Sequence, residues 1–297
     1  MTLEILVEKS MSRLKKLDED FVSRGYKPLV LFSGGKDSLV VLDLCHKYFG
    51  SDMYVGYIHI PGNTHEECDN YVFEVVEKYL GDTRRLMYMK REKVKVRGRE
   101  VTDFFEVIRY YGIPMNWRNR WCMTLFKFDV LKQVPPTYVF IAGAKQSDTN
   151  WRRLYLNATF DGFMRSWIHR HVSLELIYDW SKEHVKEYIK QNNLKINPLY
   201  DKIGHSGNCM FCPAYLTSVD RILTYLNRLE KWCREWYSKI IHYFKLYMEF
   251  HRREVKCSLK CSKCPYLKDR NKFPYAKRIG IVLEILNEKP ITAYLQQ

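Results

Sequence analysis

Residues 28–38 read Pro28-Leu29-Val30-Leu31-Phe32-Ser33-Gly34-Gly35-Lys36-Asp37-Ser38, and Leu39, Val40, Leu42 and Leu44 follow at once. The apolar run is short enough for a buried strand, the glycines end it, and the spacing of the next apolar residues predicts a helix. A strand, a glycine turn and a helix in that order make a phosphate site. Two glycines let the backbone come close to an anion, and the first amides of the helix point at it. Lys36 adds charge, and the hydroxyls of Ser33 and Ser38 add hydrogen bonds. Asp37 beside them is a candidate for the magnesium that accompanies nucleotide phosphates. The spacing differs from the GxxxxGK[ST] loop of the common ATPases.

Working outward, Met53–Ile60 is a second strand candidate, leading into Pro61–Thr64 and a helix over 65–80. Thr137–Ala142 is a third, leading into Gly143. This alternation predicts an α/β, Rossmann-like parallel sheet with helices on both faces and ligands at the carboxyl ends of the strands. An amphipathic helix over 3–24, with Leu3, Leu6, Val7, Met11, Leu14 and Leu17 on one stripe, precedes the sheet as a packing or oligomer element. Beyond Trp180, Ser181 caps a helix, a turn-rich Asn197–Asp201 follows, and a glycine loop leads to Cys209. Residues 216–256 read as a long aromatic-rich helix broken once, and a last helix lies around Ile279–Leu286. The expected organisation is an N-terminal helix over 1–25, a nucleotide-binding domain over 26–215, and a basic, helical, cysteine-bearing region over 216–297.

With 297 residues, 46% hydrophobic and 28% charged, the composition is that of a globular protein and excludes a disordered chain, a collagen or a coiled-coil rod. No apolar stretch approaches the roughly 18 residues that cross a bilayer, and the first residues carry acids where a signal peptide is basic and apolar. A cytoplasmic protein without a membrane partner is expected. Forty-nine Lys and Arg against 34 Asp and Glu give a net charge of +15, which favours polyanions such as nucleotides, tRNA or DNA. The surplus concentrates in residues 84–100, with eight basic and two acidic side chains, and in 216–297, with 17 and eight. Nine cysteines in such a chain point to metal or redox chemistry rather than disulfides. Cys209 and Cys212 form one Cys-x2-Cys pair, and Cys257, Cys261 and Cys264 cluster near the C-terminus.

The Ser33–Ser38 loop resembles the pyrophosphate loop of the ATP pyrophosphatase superfamily, and the rest of the chain narrows the resemblance to the phosphoadenylyl-sulfate (PAPS) reductase family. Gly62 and Glu67 lie where that family has a glycine turn and a following glutamate. Arg120-Trp121-Cys122 with Lys127 is similar to its Arg-x-Cys and downstream lysine. Gly143, Lys145, Asp148 and Arg152 resemble its glycine-x-arginine turn with an acid and a terminal arginine, and Asp179-Trp180, Asn197–Asp201 and Cys209-x2-Cys212-Pro213 resemble its closing segment. These matches run in the right order over 28–215. The resemblance implies an adenine nucleotide alpha hydrolase-like fold and a site for ATP or an adenylyl sulfate. Within it, Lys145 and Arg152 would clamp a phosphate or sulfate, Asp148 would hold Arg152 or magnesium, and Glu67 would orient a lysine or cap a helix.

The family's aspartate before the glycine is Ile60 here, its adjacent second cysteine is Met123, and no cysteine follows Cys264. The cluster-bearing branch implies a 4Fe–4S cluster on Cys122, Cys209 and Cys212. The spacing of Cys209-x2-Cys212 with Cys261-x2-Cys264 fits a four-thiolate zinc site equally well, and Cys257, Cys261 and Cys264 could form a metal knot or supply a redox thiol. Two reactions stay open. One is thiol-dependent reduction of adenylyl sulfate to sulfite; the other is ATP-driven sulfur transfer to tRNA or DNA from a cluster, a persulfide or a donor protein. A homodimer is compatible with either.

Overall fold

The structure is a computed structural model that describes residues 1–96, 98–112, 114, 120–165, 170–212, 216–258 and 273–288. The chain begins with α1 (Leu3–Asp20), then β1 (Lys27–Leu31), α2 (Lys36–Phe49), β2 (Tyr54–His59), α3 (Glu66–Leu80) and β3 (Leu86–Lys90). A hairpin of β4 (Val94–Val96) and β5 (Arg99–Val101) leads into α4 (Phe104–Tyr111). Next come α5 (Trp121–Met123), a π turn over Thr124–Phe128 and α6 (Asp129–Leu131). They precede β6 (Tyr138–Ala142), α7 (Asn150–Asn157), β7 (Phe163–Arg165), β8 (Val172–Glu175), α8 (Lys182–Gln191) and α9 (Leu199–Ile203). Three longer helices close the described chain: α10 (Val219–Trp232), α11 (Arg234–Ser258) and α12 (Phe273–Glu288).

Six strands form one sheet in the order β3-β2-β1-β6-β8-β7, all parallel except β7, which runs against β8. This is the expected Rossmann-like sheet. The chain progresses from β1 through β2 to β3 in one direction and resumes with β6 on the other side of β1. The strand order therefore reverses between β1 and β6, and the turns after these two strands open a crevice at their carboxyl ends. Leu29 and Val30 of β1 and Val139, Phe140 and Ile141 of β6 are fully buried, as the continuous apolar runs of a covered parallel sheet require.

The helix starts follow local chemistry. Ser181 accepts from the amides of Glu183 and His184 (both 3.2 Å), Asp103 accepts from Phe105 N (2.6 Å), and His65 Nδ1 accepts from Glu67 N (3.1 Å). The break in the long helical stretch falls at Cys233, between α10 and α11.

Residues 84–100, read from sequence only as a charge run, contain β3 and the β4–β5 hairpin. Lysine and arginine on an edge strand oppose pairing with another chain, and Val94, Val96 and Val101 are buried beneath the charged hairpin. α1 packs on its own chain: Leu6, Leu14 and Leu17 join one hydrophobic cluster that also takes in Ile279 and Val282 of α12. Its stripe also includes a residue that hydrophobicity does not anticipate. Arg13, buried, grips both oxygens of Asp179 (3.0 and 2.8 Å), Asp161 (3.0 Å) and the Leu176 carbonyl (3.2 Å). Among the described residues, no helix is long and apolar enough to cross a membrane.

Removing one side of a buried ion pair leaves the other uncompensated. Arg13→Ala is expected to lower the unfolding free energy by about 3 kcal/mol at pH 7, in the range for such deletions, as read from denaturant midpoints. Lys15→Ala, one helical step away and solvent-exposed, is expected to shift the midpoint little.

Candidate functional site

The turn after β1 is short because Gly34 adopts φ +71, a left-handed conformation, over the first turn of α3. A Cβ there would come within 3.1 Å of Cys68 Sγ and 3.3 Å of Val72, so a side chain is excluded on both counts. Gly35 is the N-cap of α2, and no side chain caps it. The amides of Asp37 and Ser38 are thus available to an anion, while that of Lys36 is taken by Tyr200. Ser38 Oγ accepts from Ser33 N (3.2 Å) and donates to Gly35 O (3.0 Å), which ties the two ends of the turn together.

Tyr200 of α9, which the sequence reading did not single out, lies over this turn. Its hydroxyl accepts from Lys36 N (3.2 Å), and the Lys36 ammonium sits 4.1 Å from its ring centroid. Asn197, at the head of the same segment, has its side-chain amide 3.4 Å from the position of a Gly34 Cβ. The segment flagged from sequence as Asn197–Asp201 therefore covers the Ser33–Ser38 turn.

Across the crevice, Gly143 abuts the backbone of Asp37. Lys145, two residues on, is the best-buried lysine among the described residues, at 1% exposure, with its Nζ 2.5 Å from Asp37 Oδ2 and 3.1 Å from Asp148 Oδ1. Its charge is spent on these carboxylates, so of the two clamp residues only Arg152, half-exposed and paired with Asp148, keeps a face toward solvent. Burial opposes ionisation of Asp148, but Lys145 and Arg152 together outweigh it and hold the carboxyl below its usual range. Glu175, at the end of β8, accepts from Ala144 N (2.7 Å) and fixes the turn between Gly143 and Lys145; burial pushes its carboxyl up.

Glu67 accepts both its close contacts from Lys202 of α9 (2.7 and 2.6 Å), so it orients a lysine, while the capping of α3 falls to His65. Gly62 packs against Asp103, whose carboxylate a Cβ would overlap, and its carbonyl accepts from Lys239 Nζ (3.0 Å). Ile60, in place of an acid, is buried.

One cysteine, Cys68, lies against the Gly34 turn. Cys68, under Gly34, lies within electrostatic reach of Cys209, and Cys122 lies within reach of both Cys209 and Cys212. Burial, then the nearby Cys209 and Cys212, push the Cys122 thiol up to about 12, against the opposing charges of Lys127 and Arg120. A soft cation among these thiols would relieve that repulsion, which is the chemistry expected of cluster or zinc ligands. Yet among the described residues no three His, Cys, Asp or Glu side chains stand close enough to share a metal ion. Cys257 falls near the end of α11; its side chain, with Cys261 and Cys264, lies outside the described residues.

Residues 27–219 match the phosphoadenosine phosphosulfate reductase domain, and the chain belongs to that family. Two uncharacterized proteins of Methanocaldococcus jannaschii are related. One is 30% identical over 213 residues, covering 69% of this chain and 40% of the relative; the other is 28% identical over 219 residues, covering 73% and 48%. The chain thus spans less than half the length of either relative. Among solved structures, a PAPS reductase from Candida auris is similar at 15% identity and TM-score 0.44, covering 67% of this chain and 89% of its own. A U34-tRNA thiolase from Methanococcus maripaludis with its 4Fe–4S cluster is similar at 17% and 0.45, covering 82% and 80%.

Two expectations follow from the electrostatics. Lys145→Met, which keeps volume and removes charge, leaves Asp37 and Asp148 facing each other. It is expected to cost about 2 kcal/mol of stability at pH 7 in urea unfolding, the scale of lost charged hydrogen bonds, because Asp37 reaches solvent and Asp148 keeps Arg152.

The second concerns His205, whose Nδ1 accepts from Gly207 N (3.1 Å) and whose pKa burial lowers to about 4. The folded protein keeps this ring neutral, while the unfolded chain takes up a proton near pH 6.5. Its contribution to stability is complete above that pH and is lost as pH falls toward 4, at up to about 1.4 kcal/mol per pH unit. His205→Asn, which retains an acceptor, is expected to flatten the dependence of unfolding free energy on pH between 6.5 and 4.

Proposed function

We propose that this protein binds the phosphates of an adenylyl sulfate at the start of α2 and catalyses its thiol-dependent reduction to sulfite. One juxtaposition supports this reading most: an uncapped helix start with Lys36 beside it, and, through Cys68 under Gly34, a run of thiols at Cys209, Cys122 and Cys212. In this reading the α2 amides and Lys36 hold the phosphate, and Arg152 faces the sulfate. Electrostatic donors placed where charge develops carry the larger share of such catalysis.

The chemistry balances with two thiols. A thiolate attacks the sulfate sulfur, an S–S bond forms, and the bond from sulfur to the bridging oxygen breaks, with AMP leaving on that oxygen. A second thiolate attacks the first thiol's sulfur, releasing sulfite and leaving a disulfide, which an external thiol reductant restores.

The net charge of +15 favours a second reading. There ATP occupies the same loop, a group on tRNA or DNA is adenylated with release of pyrophosphate, and the outer sulfur of a persulfide, on this chain or a donor protein, displaces AMP; a second thiolate then attacks the inner sulfur, breaking the S–S bond to free the thiolated nucleic acid and leaving a disulfide that an external thiol reductant restores. Nucleic-acid binding would then weaken steeply with salt.

Anaerobic, reduced protein incubated with adenylyl sulfate or its 3′-phosphate and a dithiol is expected to release sulfite, and Lys36→Ala to slow release by about 10²-fold, the cost of one oxyanion donor. Absence of sulfite, with ATP-derived pyrophosphate that rises on adding tRNA, would replace reduction by sulfur transfer.

A further inference from the structure

The turn after β2 and the loop carrying Cys209 and Cys212 are fastened to each other. Asn63 is wholly buried: its Nδ2 donates to Phe211 O (3.1 Å), its Oδ1 accepts from Phe211 N (2.7 Å), and its carbonyl accepts from Met210 N (2.8 Å). Thr64 Oγ1 donates to Asn208 O (3.0 Å), and Asn208 Nδ2 donates to Ile58 O (3.0 Å). From the other side the Tyr225 hydroxyl donates to Met210 O.

Met210 and Phe211 are the two residues between the cysteines, and both are buried. In a Cys-x2-Cys loop the backbone of those two residues decides where the sulfurs point. One carboxamide satisfies both main-chain groups of Phe211, as a neighbouring strand would. Asparagine is suited to this because it offers a donor and an acceptor on one planar group; aspartate keeps the acceptor and loses the donor.

We infer that Asn63 is the positioning residue of the Cys209–Cys212 thiol pair, locking their loop to the end of β2 and so to the phosphate side of the crevice. The role rests on the reading above, in which these thiols carry the sulfur chemistry. A reactive group works only when a rigid support holds it in place, and here the support is a side chain from a different part of the chain. Truncating it strips the Phe211 amide and carbonyl of their partners inside the fold, so the loop is expected to detach locally before the rest of the protein does.

The test uses the full chain, reduced and metal-free. Iodoacetamide alkylation rates of Cys209 and Cys212 are measured by peptide mass spectrometry across pH, with Cys45 and Cys233 as internal references. Asn63→Ala is expected to raise the Cys209 and Cys212 rates about tenfold, through easier local opening of the loop once the Phe211 hydrogen bonds are lost, and to shift their pH profile. Cys45 and Cys233 should be unchanged and adenine-nucleotide binding retained. Asn63→Asp should fall between native and Asn63→Ala, and it serves as the second variant should alanine fold poorly.

Rates for Cys209 and Cys212 within twofold of native would overturn the positioning role. So would a parallel rise at Cys45 and Cys233, which would mark general loosening. Neither outcome depends on the assays for sulfite or pyrophosphate, so a protein inactive in both but showing the selective rise would sink the functional reading and keep Asn63 in its role.

Discussion

A strand that must hand over to a helix within four residues, with the amides of Asp37 and Ser38 left open, is the constraint around which this molecule is arranged. Gly34 makes the turn possible by its left-handed backbone and by lacking a Cβ where Cys68 and Val72 close in. The open amides of α2 carry partial positive charge, and that charge needs a framework that neither collapses onto it nor neutralises it. The answer is a buried lysine on the neighbouring turn. Lys145 reaches under the crevice to Asp37 in the first turn of α2 and to Asp148, which passes the connection to Arg152. Coulombic attraction in a poorly solvated place thus joins the turns after β1 and β6, the two strands between which the sheet reverses direction.

A second set of contacts makes the far side of the crevice one body. The segment from Asn197 to Cys212 begins over the phosphate loop, where Tyr200 meets Lys36. It crosses the start of α3, where Lys202 meets Glu67 and Gly207 O accepts from His65 N. It ends in the cysteine loop held by Asn63 and Thr64. Every polar tie in this run is short-range, and together they leave the segment little freedom to move independently of β2 and α3. The helices α10 and α11 then seal it, Tyr225 reaching the cysteine loop and the Trp232 ring lying tilted against His65 with centroids 4.7 Å apart.

Much of this is readable in the sequence because it is local. The apolar run before Ser33, the glycines after it and the helical spacing beyond Ser38 reveal the loop through dihedral preference and periodicity alone. Ser181 reveals its helix by the same kind of reasoning. The edge strand β3 is harder to see, because its five residues sit between basic flanks that blur the period, and β8 is hidden for a similar reason of brevity. Arg13 is the clearest miss within a correctly read helix: its position on the apolar stripe is legible, but its burial depends on Asp179 and Asp161 some 150 residues on.

The sequence by itself determined the parallel α/β class and the succession of strand, glycine turn and helix around Ser33–Ser38. Both follow from residue types at short spacing or in a fixed order. Only the tertiary structure decided which charged residues stay open to solvent and which are consumed as internal struts. Lys145 and Arg152 look alike as two cations after a strand, yet one is buried between two carboxylates and the other remains at the surface. Likewise, nothing in the letters around Asn63 announces that it grips a loop nearly 150 residues away. Burial and partner are properties of where distant segments meet, and a side chain's charge becomes a ligand contact or a framework contact only once that meeting is made.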